Sequence, residues 1–403
     1  MSSTPEGAAR AAFVESFGAA PGVLSRAPGR VELLGNHTDY NGGLVLAAAI
    51  DRLTAVAGRA VSGREARVRA LTFDQVARLD LDGSERGEPG SWGRYVRGVV
   101  WALRQAHGPL ASGFEAAIAG NVPLGAGLSS SASLQASLAL FLLRAGLAGR
   151  GASADLDDSS RMALARILQR GENDFVGVQS GLLDQFTVLF GRAGHALGFD
   201  CRSLDYERLS LGDPAPALVI CDSKTARRLA DGMYNRRREE GERVVAFFQA
   251  RRGPEAVRWL RDVALDDLND AWDDLDPVGR RRARHVLTEN ERVRQGAEAL
   301  RGGDVATLGR LMSASHASSR DDFENSAPAL DALIEAAEAA PGFLGGKLSG
   351  AGWAGCTVNL VASGRALAFA EAVRDGYARR TGTVPDIHVC HAAGGASVLP
   401  IAD

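Results

Sequence analysis

The chain has 403 residues, more than one typical core accommodates, so two domains are expected. Hydrophobic residues make up 45% and charged residues 24%, a balance that predicts substantial buried cores in a soluble protein. A net charge of −3 gives no electrostatic reason to expect nucleic acid or an anionic membrane as partner.

The N-terminal segment carries Glu6, Arg10 and Glu15 and lacks an apolar secretory core. Next comes Arg26-Ala27-Pro28-Gly29-Arg30-Val31-Glu32-Leu33-Leu34-Gly35-Asn36-His37-Thr38-Asp39-Tyr40-Asn41-Gly42-Gly43. It crowds a fixed cation, an imidazole, a carboxylate, an amide and a phenol beside a strand-like segment, too dense a set for a purely structural turn. Val45 to Ile50 continues apolar after the Asn41-Gly42-Gly43 turn, Trp92 to Gln105 has helical character, and Phe114 to Ile118 alternates into Gly120. Ser133 to Arg144 is an apolar helix candidate, and its longest apolar stretch, near Ala136 to Leu143, is too short to span a bilayer.

A more charged half follows, with acidic (Asp266 to Asp276) and basic (Arg280 to His285) helical surfaces. Leu330, Leu333, Ile334 and Ala337 keep the helical i, i+3, i+4, i+7 spacing, and Pro341-Gly342 ends that helix. Cys356 to Val361 reads as a strand. The pattern is α/β or α+β in two domains, drawn at 1–205 and 206–403. Cys201, Cys221, Cys356 and Cys390 are widely spaced with no CxxC and read as reduced thiols in a cytoplasmic protein. His388-Val389-Cys390-His391 alternates across a strand with no second cluster nearby in sequence, so no metal is assigned there.

Pro123-Leu124-Gly125-Ala126-Gly127-Leu128-Ser129-Ser130-Ser131-Ala132-Ser133 leads directly into the apolar helix. Gly125 and Gly127 let the backbone approach a ligand closely. Unpaired amides at a helix N-terminus suit phosphate, and a serine hydroxyl there can help hold Mg²⁺. A turn followed by an ordinary serine N-cap explains the same residues equally well. No GxxxxGK[ST] occurs, and Gly346-Lys347-Leu348 lacks the hydroxyl, which disfavours a P-loop NTPase.

Together these segments resemble the GHMP kinases, and within them the galactokinases. The Arg26–Gly43 run is similar to their sugar-binding signature, the 123–133 loop to their nucleotide loop, and Gly345-Gly346-Lys347-Leu348-Ser349-Gly350-Ala351-Gly352-Trp353-Ala354-Gly355-Cys356 to their C-terminal glycine-rich loop. Tyr234-Asn235-Arg236-Arg237-Arg238 and Ser315-His316-Ala317-Ser318-Ser319-Arg320-Asp321-Asp322 are particular to the galactokinase branch. The resemblance implies an S5-like N-terminal domain, a ferredoxin-like C-terminal domain, and ATP and Mg²⁺ as cofactors. It further implies a monosaccharide phosphorylated at its anomeric hydroxyl, and a monomer that uses neither nucleic acid nor membrane.

It assigns Asp184 as the catalytic acid–base residue and Arg30 as its neighbouring cation. Gly125, Gly127, Ser129, Ser130, Ser131 and Ala132 become the nucleotide site, and Glu172 with Ser131 the Mg²⁺ site. Asn36, His37, Asp39, Gly181 and Tyr234 become the sugar site, although His37 could equally order its loop through backbone hydrogen bonds.

One position departs from the resemblance. Galactokinases usually carry glutamate, a ligand on the C6 side of the sugar, where this chain has Asn36. Asparagine keeps an acceptor, adds a donor and removes the charge. D-Galactose is the expected substrate; a shift to galacturonate, which Asn36 could donate to, or to L-arabinose, which lacks C6, is the alternative. A non-catalytic galactose/ATP sensor is a further alternative, disfavoured by the presence of Ser131-Ala132, Glu172 and Asp184.

Overall fold

The computed structural model describes residues 4–81, 85–149, 155–225 and 232–401. The first half contains α1 (Pro5–Phe17), β1 (Val23–Leu34), β2 (Leu44–Val61), β3 (Glu65–Ala70), β4 (Gln75–Asp80), α2 (Trp92–His107) and β5 (Gly113–Gly120). It continues through α3 (Ser130–Arg144), α4 (Asp158–Arg170), α5 (Leu183–Phe190), β6 (His195–Asp200) and β7 (Tyr206–Ser210). The second half contains β8 (Ala217–Asp222), α6 (Met233–Arg252), α7 (Leu265–Asp270), α8 (Pro277–Arg301), α9 (Val305–Ser318) and α10 (Pro328–Glu338). Then follow β9 (Phe343–Leu348), β10 (Cys356–Val361), α11 (Ala366–Thr381), β11 (Asp386–Cys390) and β12 (Ser397–Leu399).

The first sheet runs β12-β1-β2-β5-β3-β4, and β6 and β7 extend it from the start of β2. Its pairings are antiparallel except β3 with β5, which α2 joins by a crossover. β1 carries Pro28, which cannot donate to a ladder; the pairing register with β2 shifts at Pro28/Gly29 and again at Glu32/Leu34. Those two irregularities bracket Arg30 and Glu32. Helix α3 is buried on nearly every side, with Ala132 through Leu143 almost entirely inside, so its hydrophobic surface needs partners all round. Helices α2 to α5 cover one face of the sheet, and α1 seals the other with Ala9 and Phe13.

The second sheet has the order β11-β8-β10-β9, all antiparallel. Numbered within that unit the order is four-one-three-two, the ferredoxin-like arrangement. Helices α10 and α11 pack on one face. Between the sheets lies a shared core in which Val31, Leu33 and Leu46 meet Leu218, Ile220, Val358, Leu308 and Met312.

Two features bear on the expectations from sequence. A boundary at 205/206 would cut the hydrogen-bonded β6–β7 hairpin, and β12 returns across the chain to pair with β1. Hydropathy alone cannot reveal either pairing. The basic run after Asp276 is also not wholly surface: Arg282 is buried and paired with Glu240, and His285 is fully buried.

Candidate active site

A cavity of about 540 Å³ lies between β1, the loop after β5 and the loop after β9, and the sequence-derived residues other than Ala132 converge on it. The loop after β5 supplies one wall. Gly125 and Gly127 take φ of 72° and 73°, a region in which a side chain is strained. Ser129 also adopts left-handed backbone, at φ 55°, just before α3. Its hydroxyl does not cap the helix; it donates to Asp184 Oδ2 instead. The first-turn amides of α3 therefore remain open to an anion. Ser130 and Ser131 line the cavity, while Ala132 is fully buried behind them.

Asp184 lies in the first turn of α5, where the helix dipole favours negative charge. Arg30 Nε donates to Asp184 Oδ1 at 2.7 Å, and Nη2 of the same guanidinium pairs with that oxygen. Arg30 Nη1 donates to the Gly127 carbonyl at 2.6 Å. One guanidinium thus ties the carboxylate to the glycine loop, a role for a planar fork rather than a point charge.

On the opposite wall are Asp39 and Tyr234. Burial, then the charges of Glu32 and Asp184, raise the Asp39 carboxyl to about 7. Gly181 presses against it: a Cβ on Gly181 would lie 2.6 Å from Asp39 Cγ. His37 is spent on its loop. Its Nδ1 is 2.8 Å from Tyr40 Oη and its Nε2 3.0 Å from the Ala351 carbonyl, and burial lowers it to about 3, leaving a neutral ring. That ring lies 5.4 Å from the Tyr234 ring. Asn36 is 1% exposed. Its Nδ2 donates to Gly350 O at 2.9 Å and to Glu32 Oε1 at 3.2 Å, and its Oδ1 accepts from Asn325 Nδ2 at 2.9 Å.

Glu172 sits on a wide π-helical turn, Gly171–Val176, that prolongs α4. Its Oε2 accepts from Ser180 Oγ at 2.8 Å and Gln185 Nε2 at 2.6 Å. Burial and the Asp184 charge raise it to about 6. A buried acid held this way, sharing the cavity with the Ser131 hydroxyl, is a donor set that fits a hard cation, which would favour its ionised form.

Several contributors were not singled out from the sequence. Ser180 and Gln185 anchor Glu172, Tyr95 lines the cavity, and Glu289 accepts from the Gly35 and Asn36 amides at 2.9 and 3.1 Å. Glu32 also lines it, paired with Lys347. The signal available for Glu32 was the strand period of two, which puts it on the face of Arg30. A wider surface groove between β6, β7 and α8, about 640 Å³, holds charges that pair with each other, Arg301 with Glu207 and Glu298.

Residues 11–60 match the family model for the galactokinase galactose-binding signature, 94–192 that for the GHMP kinases N terminal domain, and 297–379 that for the GHMP kinases C terminal. A galactokinase from Roseiflexus sp. (strain RS-1) is 44% identical over 392 residues, 96% of each chain. The chain belongs to the galactokinase family. The Homo sapiens galactokinase is 40% identical to this family member, covering 97% of this chain and 96% of its own. The crystal structure of Lactococcus lactis galactokinase complexed with galactose superposes with a TM-score of 0.89 at 33% identity, covering 97% of this chain and 98% of that one. A Methanococcus jannaschii mevalonate kinase, 15% identical with a TM-score of 0.60, shares the fold. Among the described residues no helix is long and apolar enough to cross a membrane.

Proposed function

We infer that this member of the galactokinase family transfers the γ-phosphoryl group of ATP to the anomeric hydroxyl of D-galactose, giving galactose 1-phosphate. The observation that carries the reading is the junction of Arg30, Asp184 and Ser129 at the meeting point of an anion-suited loop and a wall of hydroxyl-binding groups. Phosphoryl transfer asks the protein for positioning and charge stabilisation more than for covalent work. Amides of the 125–132 segment hold the phosphates. Asp39 and Tyr234 accept and donate to sugar hydroxyls, and orient the anomeric oxygen toward the γ-phosphorus. Asp184 takes the proton of that hydroxyl as the new P–O bond forms and ADP leaves. Arg30 keeps Asp184 ionised and balances charge on the transferring group.

Mg²⁺ held by Glu172 and the Ser131 hydroxyl would, when bound, neutralise charge on the ATP phosphates. A cytoplasmic setting agrees with reduced thiols at Cys201, Cys221 and Cys390.

The test is ADP release with MgATP across galactose, galacturonate, L-arabinose and glucose. Asp184→Asn, which keeps the shape but cannot take the proton, lowers kcat about 10²–10⁴-fold while galactose still binds. Absence of sugar-dependent ADP release from the native chain refutes the reading, and so does an Asp184→Asn variant that turns over like the native chain.

A further inference from the structure

Glu32 reaches the cavity yet has no part in the steps above. It follows Arg30 by two residues on β1 and is 5% exposed. Oε1 accepts both of its hydrogen bonds, from Lys347 Nζ at 2.6 Å and from Asn36 Nδ2 at 3.2 Å. Lys347 is completely buried on β9, so its ammonium needs a fixed counter-charge, and Glu32 is that partner. Asn36, by contrast, has both N–H groups and its carbonyl engaged by protein, with Ser319 Oγ as a second, 3.4 Å donor to Oδ1. An amide so committed has nothing left to turn toward a sugar. A carboxylate has about four acceptor sites, and among the described residues the two bonds to Oε1 leave Oε2 unspent.

We propose that Glu32 is the sugar-binding carboxylate on this wall, that Asn36 and Lys347 are positioning residues which aim it, and that the site therefore selects a neutral hexose over a uronic acid. The inference rests on the sugar-kinase reading of the cavity. Glu32 stands close enough to Asp39 for its charge to help raise that acid, so the two carboxylates flank one region of the cavity. A sugar hydroxyl donates to either of them. A sugar carboxylate meets like charge instead and leaves their acceptor sites unfilled.

The experiment measures galactose and galacturonate Kd by calorimetry, and KM and kcat by ADP release, for the native chain and three variants. Glu32→Gln/Lys347→Met removes the carboxylate without stranding the ammonium, and should raise galactose Kd and KM about 10–100-fold. ATP affinity should stay near native. Asn36→Glu sets a second carboxylate against Glu32 with one ammonium between them and should bind galactose weakly. The exchange Glu32→Asn/Asn36→Glu restores one acid and one amide and should recover much of that loss, which a merely structural role for Asn36 does not predict.

Native preference for galactose over galacturonate supports the proposal, and equal or reversed preference overturns it. So does a Glu32→Gln/Lys347→Met variant that binds galactose like the native chain, or an exchange no better than Asn36→Glu alone. Should galactose bind without ADP release, the kinase reading fails while the Kd series still decides the role of Glu32.

Discussion

The Gly181→Ala substitution tests the geometry of the sugar wall most directly. Its Cβ would sit 2.6 Å from Asp39 Cγ and 3.0 Å from Asp39 Cβ, whereas ordinary contact begins at 3.4 Å. Asp39 or the 180–182 backbone must therefore yield by about 1 Å, and a misplacement of that size at a reacting site costs on the order of 10²-fold. Asp39 is buried, and moving it nearer Glu32 or Asp184 would add to the like charge that already acts on it. The expected loss is ~10²-fold in kcat/KM for galactose, with KM for ATP nearly unchanged, since the glycine–serine loop is a separate wall. Steady-state ADP release with each substrate varied in turn reads both numbers. The control is a cycle: in an Asp39→Ala background the second change should be nearly silent, because the group it displaces is gone. A Gly181→Ala enzyme with native galactose KM, or an undiminished effect in that background, would show that the contact does not govern sugar binding.

Asp39 is raised from 3.8 to about 7 and Glu172 from 4.5 to about 6, so the folded protein holds these protons more tightly than the unfolded chain does. The cost of ionising them is absent below about pH 4 and complete above about pH 7, so their contribution to the stability of the ligand-free protein declines across that window, against the opposite contribution of buried His37 and His285, lowered to about 3 and about 4. Galactose, donating to ionised Asp39, should bind more tightly as pH rises toward about 7 and then level off, releasing a proton below it; a flat Kd between pH 5 and pH 8 would contradict this. For stability, a Cβ on Gly345 would lie 2.5 Å from Gly309 Cα, backbone against backbone, where no side chain can swing away. Gly345→Ala should cost at least about 1–3 kcal/mol in urea unfolding, while Gly394→Ala, which meets nothing within 4 Å, should change it by under about 0.5 kcal/mol.

Much of the chemistry was legible in the residues themselves. The glycines and serines of 123–133 announced a turn before a helix, α10 followed its apolar spacing, and β10 its strand-like run from Cys356 to Val361. These are local signals, because periodicity and turn chemistry act over a few residues. What the sequence could not assign was how each polar atom is spent. Ser129 has the composition of an N-cap, yet its hydroxyl goes to Asp184, 55 residues away. His285 and Arg282 look like surface charge, yet they are buried against Asn36 and Glu240. Asn36 carries the visible departure in the signature, but the carboxylate beside it, Glu32, is paired with Lys347, 315 residues further along the chain. The inventory of groups, and the family they mark, are legible in the residues alone. Tertiary structure decided which of them line the cavity, because burial, ion pairing and the filling of lone pairs depend on neighbours that only the folded chain brings within about 3 Å.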